Sequence, residues 1–202
     1  VIQSQRLELA VNDRFRAFFD STSLEYSREG SLDVTEALIR TAKRLKRRND
    51  SSTGDPITKH ANAIEAAALA KALWRMRQFE LSAETYAIAF QVEPKTDDLR
   101  ARRILDLCHC AECYFQTNRW DEQVVVAEKA YHRAVTWKLS DGREIAAAAT
   151  SFARALYQTR QFDRATEVLE EADVLLDELG CPPIHGERLL IPVRRKLAVQ
   201  SR

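Results

Sequence analysis

The side chains most able to do chemistry in this sequence stand close together at Cys108, His109, Cys110 and Cys113. Thiolate and imidazole groups are the usual ligands of zinc in proteins. The surrounding residues favour a helix, however, and neighbouring residues on a helix point roughly 100° apart, so these groups cannot converge on one ion. We therefore expect a packing role, with Cys110 on the buried face, and predict no metal and no cofactor; metal or redox chemistry is the alternative.

A second concentration of functional groups is a basic run near the end of the first quarter of the chain: Arg40, Lys43, Arg44, Lys46, Arg47 and Arg48. Such a run could meet nucleic acid or acidic lipid. It lacks the interleaved aromatic residues that stack on bases, and the whole chain is balanced at a net charge of +1, from 31 basic and 30 acidic residues. We favour a solvated helix end, and do not expect nucleic acid or a membrane as a partner of this domain.

Signatures of catalysis are absent from the sequence. It contains no glycine-rich loop that could hold phosphate, no serine at a nucleophile elbow, and no paired carboxylates in a setting that would raise their pKa values. The four histidines are dispersed, at His60, His109, His132 and His185. We predict that the chain is not an enzyme.

The composition indicates which elements must position any site. Hydrophobic residues make up 45% and charged residues 30%, while Gly and Pro number only five each. Few tight turns are therefore available, which favours an all-α protein. There is no signal peptide and no apolar run long enough to cross a bilayer, and four Cys without a secreted-protein pattern favour the cytoplasm. The chain starts at Val1, which suggests a processed product or a piece of a longer protein.

An internal repeat is the strongest signal in the sequence. Three stretches place an aromatic residue beside an acid: Arg77-Gln78-Phe79-Glu80, Arg119-Trp120-Asp121-Glu122 and Arg160-Gln161-Phe162-Asp163. The aromatic residues are 120 − 79 = 41 and 162 − 120 = 42 positions apart. Near-equal spacing of this kind predicts stacked supersecondary units.

The segments around each stretch share one pattern. Before it, small or apolar residues recur at i, i+3, i+4 and i+7, one face of a helix: Ala66, Leu69, Ala70 and Leu73; Leu107, Cys110, Ala111 and Tyr114; Ala149, Phe152, Ala153 and Leu156. The third position is always alanine, which lets a partner helix approach closely. After each stretch a second such face follows: Ser82, Tyr86 and Ala89; Gln123, Ala127 and Ala130; Ala165, Leu169 and Ala172.

These positions resemble the tetratricopeptide-repeat (TPR) family over about residues 56 to 180. The period is longer than the usual one and is similar to the long-helix TPRs of kinesin light chains and bacterial regulatory proteins. Ser82 and Gln123 stand where the family has alanine, so the second repeat is expected to pack less tightly. The resemblance implies a right-handed superhelix of antiparallel helix pairs.

On this basis residues 1–202 are predicted to form a single helical repeat domain. Residues 1–54 would be a divergent helix pair, with helices at 3–19 and 33–48 and an exposed loop from Asn49 to Gly54. Three repeats would follow at 55–96, 97–139 and 140–181, and residues 182–202 would be a capping helix. The first helix of each repeat would begin at Asp55-Pro56, Thr96-Asp97-Asp98 and Ser140-Asp141. Gly180 would end the second helix of the last repeat.

The resemblance also implies a partner-binding surface, because the residue after the last core position of each first helix faces the concave groove in TPR proteins. Those residues are aromatic in all three repeats, and charged or amide residues flank them: Lys71, Trp74 and Arg75; Glu112, Phe115 and Gln116; Arg154, Tyr157 and Gln158. The alternative is that these aromatic residues belong to the core.

The expected function is therefore non-catalytic binding of a peptide or a helix of a partner protein, within a larger regulatory or scaffold protein. One alternative is a structural role in which the domain associates with a copy of itself. Another is a ligand-sensing domain of a bacterial transcriptional regulator.

Overall fold

The computed structural model describes residues 30–51, 55–137, 142–182 and 184, and within them the chain is helical. The seven helices are α1 (Gly30–Ser51), α2 (Pro56–Arg75), α3 (Phe79–Ala89), α4 (Asp97–Gln116), α5 (Trp120–Trp137), α6 (Arg143–Gln158) and α7 (Phe162–Glu178). No strand occurs among these residues, which confirms the predicted all-α class. No helix in the described ranges is both long and apolar enough to cross a membrane.

The helices divide into two compact units. The first unit holds α1, α2 and α3 together with Gln116–Asn118, and the second holds the rest of α4 with α5, α6 and α7. Each predicted repeat contains two of the helices. The predicted helix at 3–19, the opening at Ser140-Asp141 and nearly all of the capping segment 182–202 lie outside the described residues. The predicted loop from Asn49 begins too early, because α1 continues to Ser51, where the Ser51 hydroxyl donates to the Arg48 carbonyl at 3.1 Å.

The first unit is built around aliphatic side chains from its three helices. On α1 the buried residues Leu38, Ala42 and Leu45 recur at i, i+4 and i+7, which is one helix face. They pack against buried residues of α2 and α3: Ala66, Leu69, Ala72, Leu73, Ile88 and Ala89. Helix α2 begins as predicted, since the Asp55 carboxylate accepts hydrogen bonds from the Ile57 and Thr58 amides and Pro56 follows it.

The second unit is held together by small residues and by rings. Ala111 and Ala153 are buried as the sequence predicts, and so is Ala70 in the first unit, with exposures of 0%, 3% and 0%. The Tyr131 ring lies 5.9 Å from that of Phe152 on α6, and the Tyr131 hydroxyl donates to Glu171 on α7. Small residues thus let α5, α6 and α7 approach closely enough for one tyrosine to contact two helices.

The helix-to-helix turns repeat in detail. Arg77, Asn118 and Arg160 all adopt a left-handed backbone, with φ of 59°, 58° and 63°. After each of them one amide reaches back five residues: from Gln78 to Leu73 at 2.9 Å, from Arg119 to Tyr114 at 2.9 Å, and from Gln161 to Leu156 at 2.8 Å. This is the Schellman arrangement, which satisfies carbonyl groups left over at a helix end. Gly180, with φ of 66°, closes α7 in the same way.

Candidate partner-binding surface

Three of the nine predicted groove residues meet on the surface of the second unit. Glu112 and Phe115 lie one turn apart on α4, and Arg154 reaches them from α6. Arg154 Nη1 donates to Glu112 Oε2 at 2.7 Å, and the guanidinium carbon lies 3.8 Å from the centre of the Phe115 ring. The two charged side chains remain 26% and 42% exposed for Glu112 and Arg154. We call these three residues the Arg154 cluster.

The energetics of the Arg154 cluster suit recognition better than folding. A partly exposed ion pair contributes about 0–1 kcal/mol to stability, because water screens it and two flexible side chains must be ordered. A cation over an aromatic face adds about 0.5–1 kcal/mol at an exposed site. The fold therefore gains little from the cluster. A partner that displaced water from it would strengthen both contacts.

Tyr157 and Gln158 lie at the end of α6 and are both half buried. The Tyr157 ring meets the Phe162 ring edge-on, with centres 4.7 Å apart and an interplanar angle of 64°. Phe162 is the first residue of α7, so this contact joins α6 and α7 across their turn. Tyr157 therefore has a packing role in addition to whatever surface it offers.

The other predicted residues belong to the first unit. Lys71 and Arg75 are exposed near the end of α2, and Trp74 between them is half buried. Gln116 is exposed at the last position of α4. Of the nine residues, the structure thus shows direct contacts among Glu112, Phe115 and Arg154. A sequence signal for this pairing existed, because Glu112 and Arg154 carry opposite charges at the same repeat position, 154 − 112 = 42 residues apart.

The cysteine cluster has the surroundings of packed side chains. Cys110 and Cys113 are buried, and Cys108 and His109 are half buried. Burial raises the pKa of the Cys108 thiol to about 12, although its hydrogen bond with Ser151 opposes the shift. Burial raises the pKa of Cys110 as well. Both thiols are protonated at neutral pH, which makes them poor ligands and poor nucleophiles. In the described ranges no three His, Cys, Asp or Glu residues are placed to hold a metal ion.

The sequence predicts the helix that carries the basic run, but not the ion pairs that the run forms with other helices. Lys46 Nζ contacts Glu84 Oε2 on α3 at 2.8 Å, and Arg48 pairs with Glu65 on α2. The remaining four cations, Arg40, Lys43, Arg44 and Arg47, are exposed on α1. Beside them lies a cleft of about 720 Å³ in the first unit, lined by residues of α1 and α3, by Arg77 and Gln78 of one turn, and by Thr117 with Gln116, one of the nine predicted groove residues. The acids at Glu65 and Glu84 were not connected with the run in the sequence because they stand 17 and 38 residues away from their partners.

Comparison with known proteins adds no assignment. No protein-family model, no curated protein and no solved structure matches this chain. The use of these surfaces has therefore to be inferred from their own geometry and chemistry.

Proposed function

We propose that this chain is a TPR-type right-handed superhelix that binds a peptide or a helix of a partner protein in its concave groove, without catalysing a reaction. Support for the repeat comes from the helix pairs α2–α3, α4–α5 and α6–α7, whose turns have a left-handed residue at the same position and the same backbone hydrogen bond. Further support comes from alanine at the close-approach position of each first helix, which is buried in all three pairs. A place within a larger regulatory or scaffold protein fits such a module.

The observation that carries the binding proposal is the Arg154 cluster. Aromatic and arginine side chains dominate binding hot spots, because they bury a large area and still donate hydrogen bonds. Here Glu112 and the Phe115 ring hold the guanidinium of Arg154 in one place while it stays partly exposed. A preordered arginine loses less conformational entropy when a partner binds. Its other N–H groups can donate to a carboxylate or a backbone carbonyl of that partner.

The test begins with selection of binding peptides from a displayed library on the immobilised chain. Affinity for the selected peptide is then measured by fluorescence polarisation. Phe115→Ala and Arg154→Glu should each weaken binding by at least about tenfold, which is about 1.4 kcal/mol. Arg102→Glu and Trp120→Ala are matched controls, since Arg102 is an exposed residue of α4 and Trp120 is 41% exposed. Both controls should stay near the parent affinity.

The result can also count against the proposal. If every selected peptide binds Phe115→Ala and Arg154→Glu as tightly as the parent, while both variants keep the parent melting temperature, the Arg154 cluster is not a binding surface. A loss shared with Arg102→Glu would mean that only net charge matters.

Self-association is a second candidate, because two valines of the second unit are unusually exposed. Val125 on α5 and Val174 on α7 are 64% and 60% exposed. Such side chains gain by burial against a copy of the chain. Light scattering across a concentration series distinguishes the two functions, since a dimer lost in Val125→Ser or Val174→Ser would favour this candidate.

A further inference from the structure

The cleft of the first unit has an apolar floor. Ile39 and Leu81 pack against the hydrophobic core of this unit and also line the cleft, where half-buried Phe79 joins them. Its volume of about 720 Å³ lies within the range of about 300–1,000 Å³ that is usual for ligand sites. An apolar side chain of a partner could therefore be buried in this cleft, away from water.

Cations stand around the floor. Lys43, Lys46 and Arg77 line the cleft, against the two carboxylates of Glu80 and Glu84. Lys46 and Glu84 already form an ion pair, and both side chains are about half exposed, at 55% and 50%. Lys43 and Arg77 are exposed and form no ion pair with any described residue. Arg40, Arg44 and Arg47 extend the positive charge along the exposed side of α1.

The backbone fixes the point from which one of these cations, Arg77, extends. Arg77 sits in the left-handed turn between α2 and α3, where its amide donates to the Trp74 carbonyl at 3.0 Å and the next amide donates to Leu73 at 2.9 Å. Both bonds hold the start of the Arg77 side chain at the rim of the cleft.

We propose that this cleft is a docking site for an acidic amphipathic segment of a partner protein, with its apolar side chains on Ile39, Phe79 and Leu81 and its carboxylates on Lys43 and Arg77. The cleft shares no residue with the Arg154 cluster, and this proposal does not depend on the function proposed for that cluster. A partner carboxylate can also replace Glu84 as the ion-pair partner of Lys46, because that ion pair is exposed to water. The floor supplies affinity, and the cations supply selectivity and a faster encounter.

A peptide fits this surface better than a nucleic acid does. The three side chains of the floor, Ile39, Phe79 and Leu81, are apolar, so they offer no hydrogen bond to a phosphodiester backbone. Every phosphate carries a charge, so a strand lying along the cleft would meet the Glu80 and Glu84 carboxylates as well as the cations. A peptide can place an apolar or amide side chain at those two points.

The experiment titrates the full chain into a fluorescein-labelled synthetic helical peptide that carries glutamates on one face and leucines on the other, followed by fluorescence polarisation. Lys43→Glu and Arg77→Glu, with the neutral variants Lys43→Gln and Arg77→Gln, test the cations. Lys59→Glu is the matched control, because Lys59 is an exposed lysine of the same unit that does not line the cleft. A peptide with alanine in place of leucine tests the apolar contacts, and a peptide with glutamine in place of glutamate tests the charge contacts. A labelled DNA duplex tests whether the cleft binds nucleic acid instead.

We expect saturable binding of the peptide. The affinity should fall at least about tenfold in each charge-reversal variant and by less in the glutamine variants, while Lys59→Glu should keep an affinity near that of the parent. Both altered peptides should bind weakly. Phe115→Ala should leave this binding unchanged, which separates it from the function proposed for the Arg154 cluster. The proposal is overturned if no peptide saturates, if Lys59→Glu loses as much as Lys43→Glu, or if the alanine peptide or the duplex binds equally well. It is also overturned if the chain dimerises through the same cations, since the occupant would then be a second copy.

Discussion

The two units fill one repeat position in different ways. Ser82 in the first unit and Gln123 in the second both stand three residues after the aromatic residue of their turn, and both are buried, at 0% and 2% exposure. The Ser82 hydroxyl donates to the Ala70 carbonyl at 2.8 Å. The Gln123 side-chain oxygen is buried without a hydrogen bond to any described residue. The residue at this position is buried in both units. A polar side chain there costs little stability only where a hydrogen-bond partner is within reach.

The charged residues on the first helix of each pair also differ in whether they have an ion-pair partner. Lys71 of the first unit is an exposed cation that pairs with no described residue, whereas Arg154 of the second is held by Glu112. The aromatic neighbours Trp74 and Phe115 are both half buried. Backbone and packing positions therefore agree between the units, while the charged positions differ in their partners.

The largest effect is expected where the units agree. Ala70→Arg and Ala111→Arg place a charged, bulky side chain at fully buried positions. Each should lower the free energy of unfolding by about 3 kcal/mol or more, from overpacking and an unpaired buried charge. Chemical denaturation measures the loss. Ala87→Arg is the control, because Ala87 is exposed on α3 and should change little; a change below about 1 kcal/mol at Ala111 would mean that the helix faces are wrongly assigned.

The next effect concerns thiols, which occur only in the second unit, at Cys108, Cys110, Cys113 and Cys181. Burial raises the pKa of Cys108 to about 12, above an unfolded value near 8.5. The folded state therefore holds this proton more tightly than the unfolded state. Its contribution to stability is complete below the unfolded pKa and is lost as pH rises toward the folded one.

Between pH 8 and 10.5 the parent should lose on the order of 2 kcal/mol more stability than Cys108→Ser, since serine does not ionise in this range. Urea denaturation at several pH values measures the two slopes. Cys181→Ser is a control for general effects of thiol removal. Equal slopes for the parent and Cys108→Ser would show that the Cys108 thiol ionises as readily in the folded chain as in the unfolded one.

A smaller effect should have opposite signs in the two units. Ser82→Ala removes the hydrogen bond to Ala70 and should destabilise the chain by about 1 kcal/mol. Gln123→Met keeps most of the volume and removes a buried polar atom without a described partner, so it should stabilise the chain by about 1 kcal/mol. Thermal and urea denaturation give both values. If the two changes have the same sign, the contrast between the units is an incorrect interpretation.

The smallest effect separates two turns that look alike. Arg160 and Asn118 share a left-handed backbone, which asparagine tolerates and arginine does not favour. Arg160→Gly should therefore stabilise by about 0.5–1 kcal/mol, and Asn118→Gly by a few tenths at most. Urea denaturation of the parent and of both variants measures the two changes in the free energy of unfolding. A larger gain at Asn118 than at Arg160 would contradict the explanation.

Much of the fold could be predicted because its signals are periodic. The helix faces, the three aromatic marks and the cap at Asp55 each depend on residues close in sequence, so spacing alone identifies them. The end of α1 was predicted too early, because charged residues of a solvated helix end look like a loop. Ser82 and Gln123 were recognised as departures from alanine, but the sequence does not show that only Ser82 finds a carbonyl within reach.

The sites were harder to predict than the helices. The aromatic positions followed from repeat spacing, yet the contact between Arg154 and Phe115 depends on the angle between α4 and α6, which no local pattern contains. Likewise, the ion pair of Lys46 with Glu84 joins residues 38 positions apart. Side-chain partners across helices are set by tertiary packing, and a single sequence records them only where repeat symmetry places opposite charges one period apart.

The repeated turn has a consequence for the order of assembly during synthesis. Its defining hydrogen bond joins residues five apart, as from Gln78 to Leu73, so the corner can close before any later repeat exists. Each helix pair can then fold back on itself as soon as its second helix has been made. Contacts of such short range favour rapid folding, so each of these turns can form before the rest of the chain has been made.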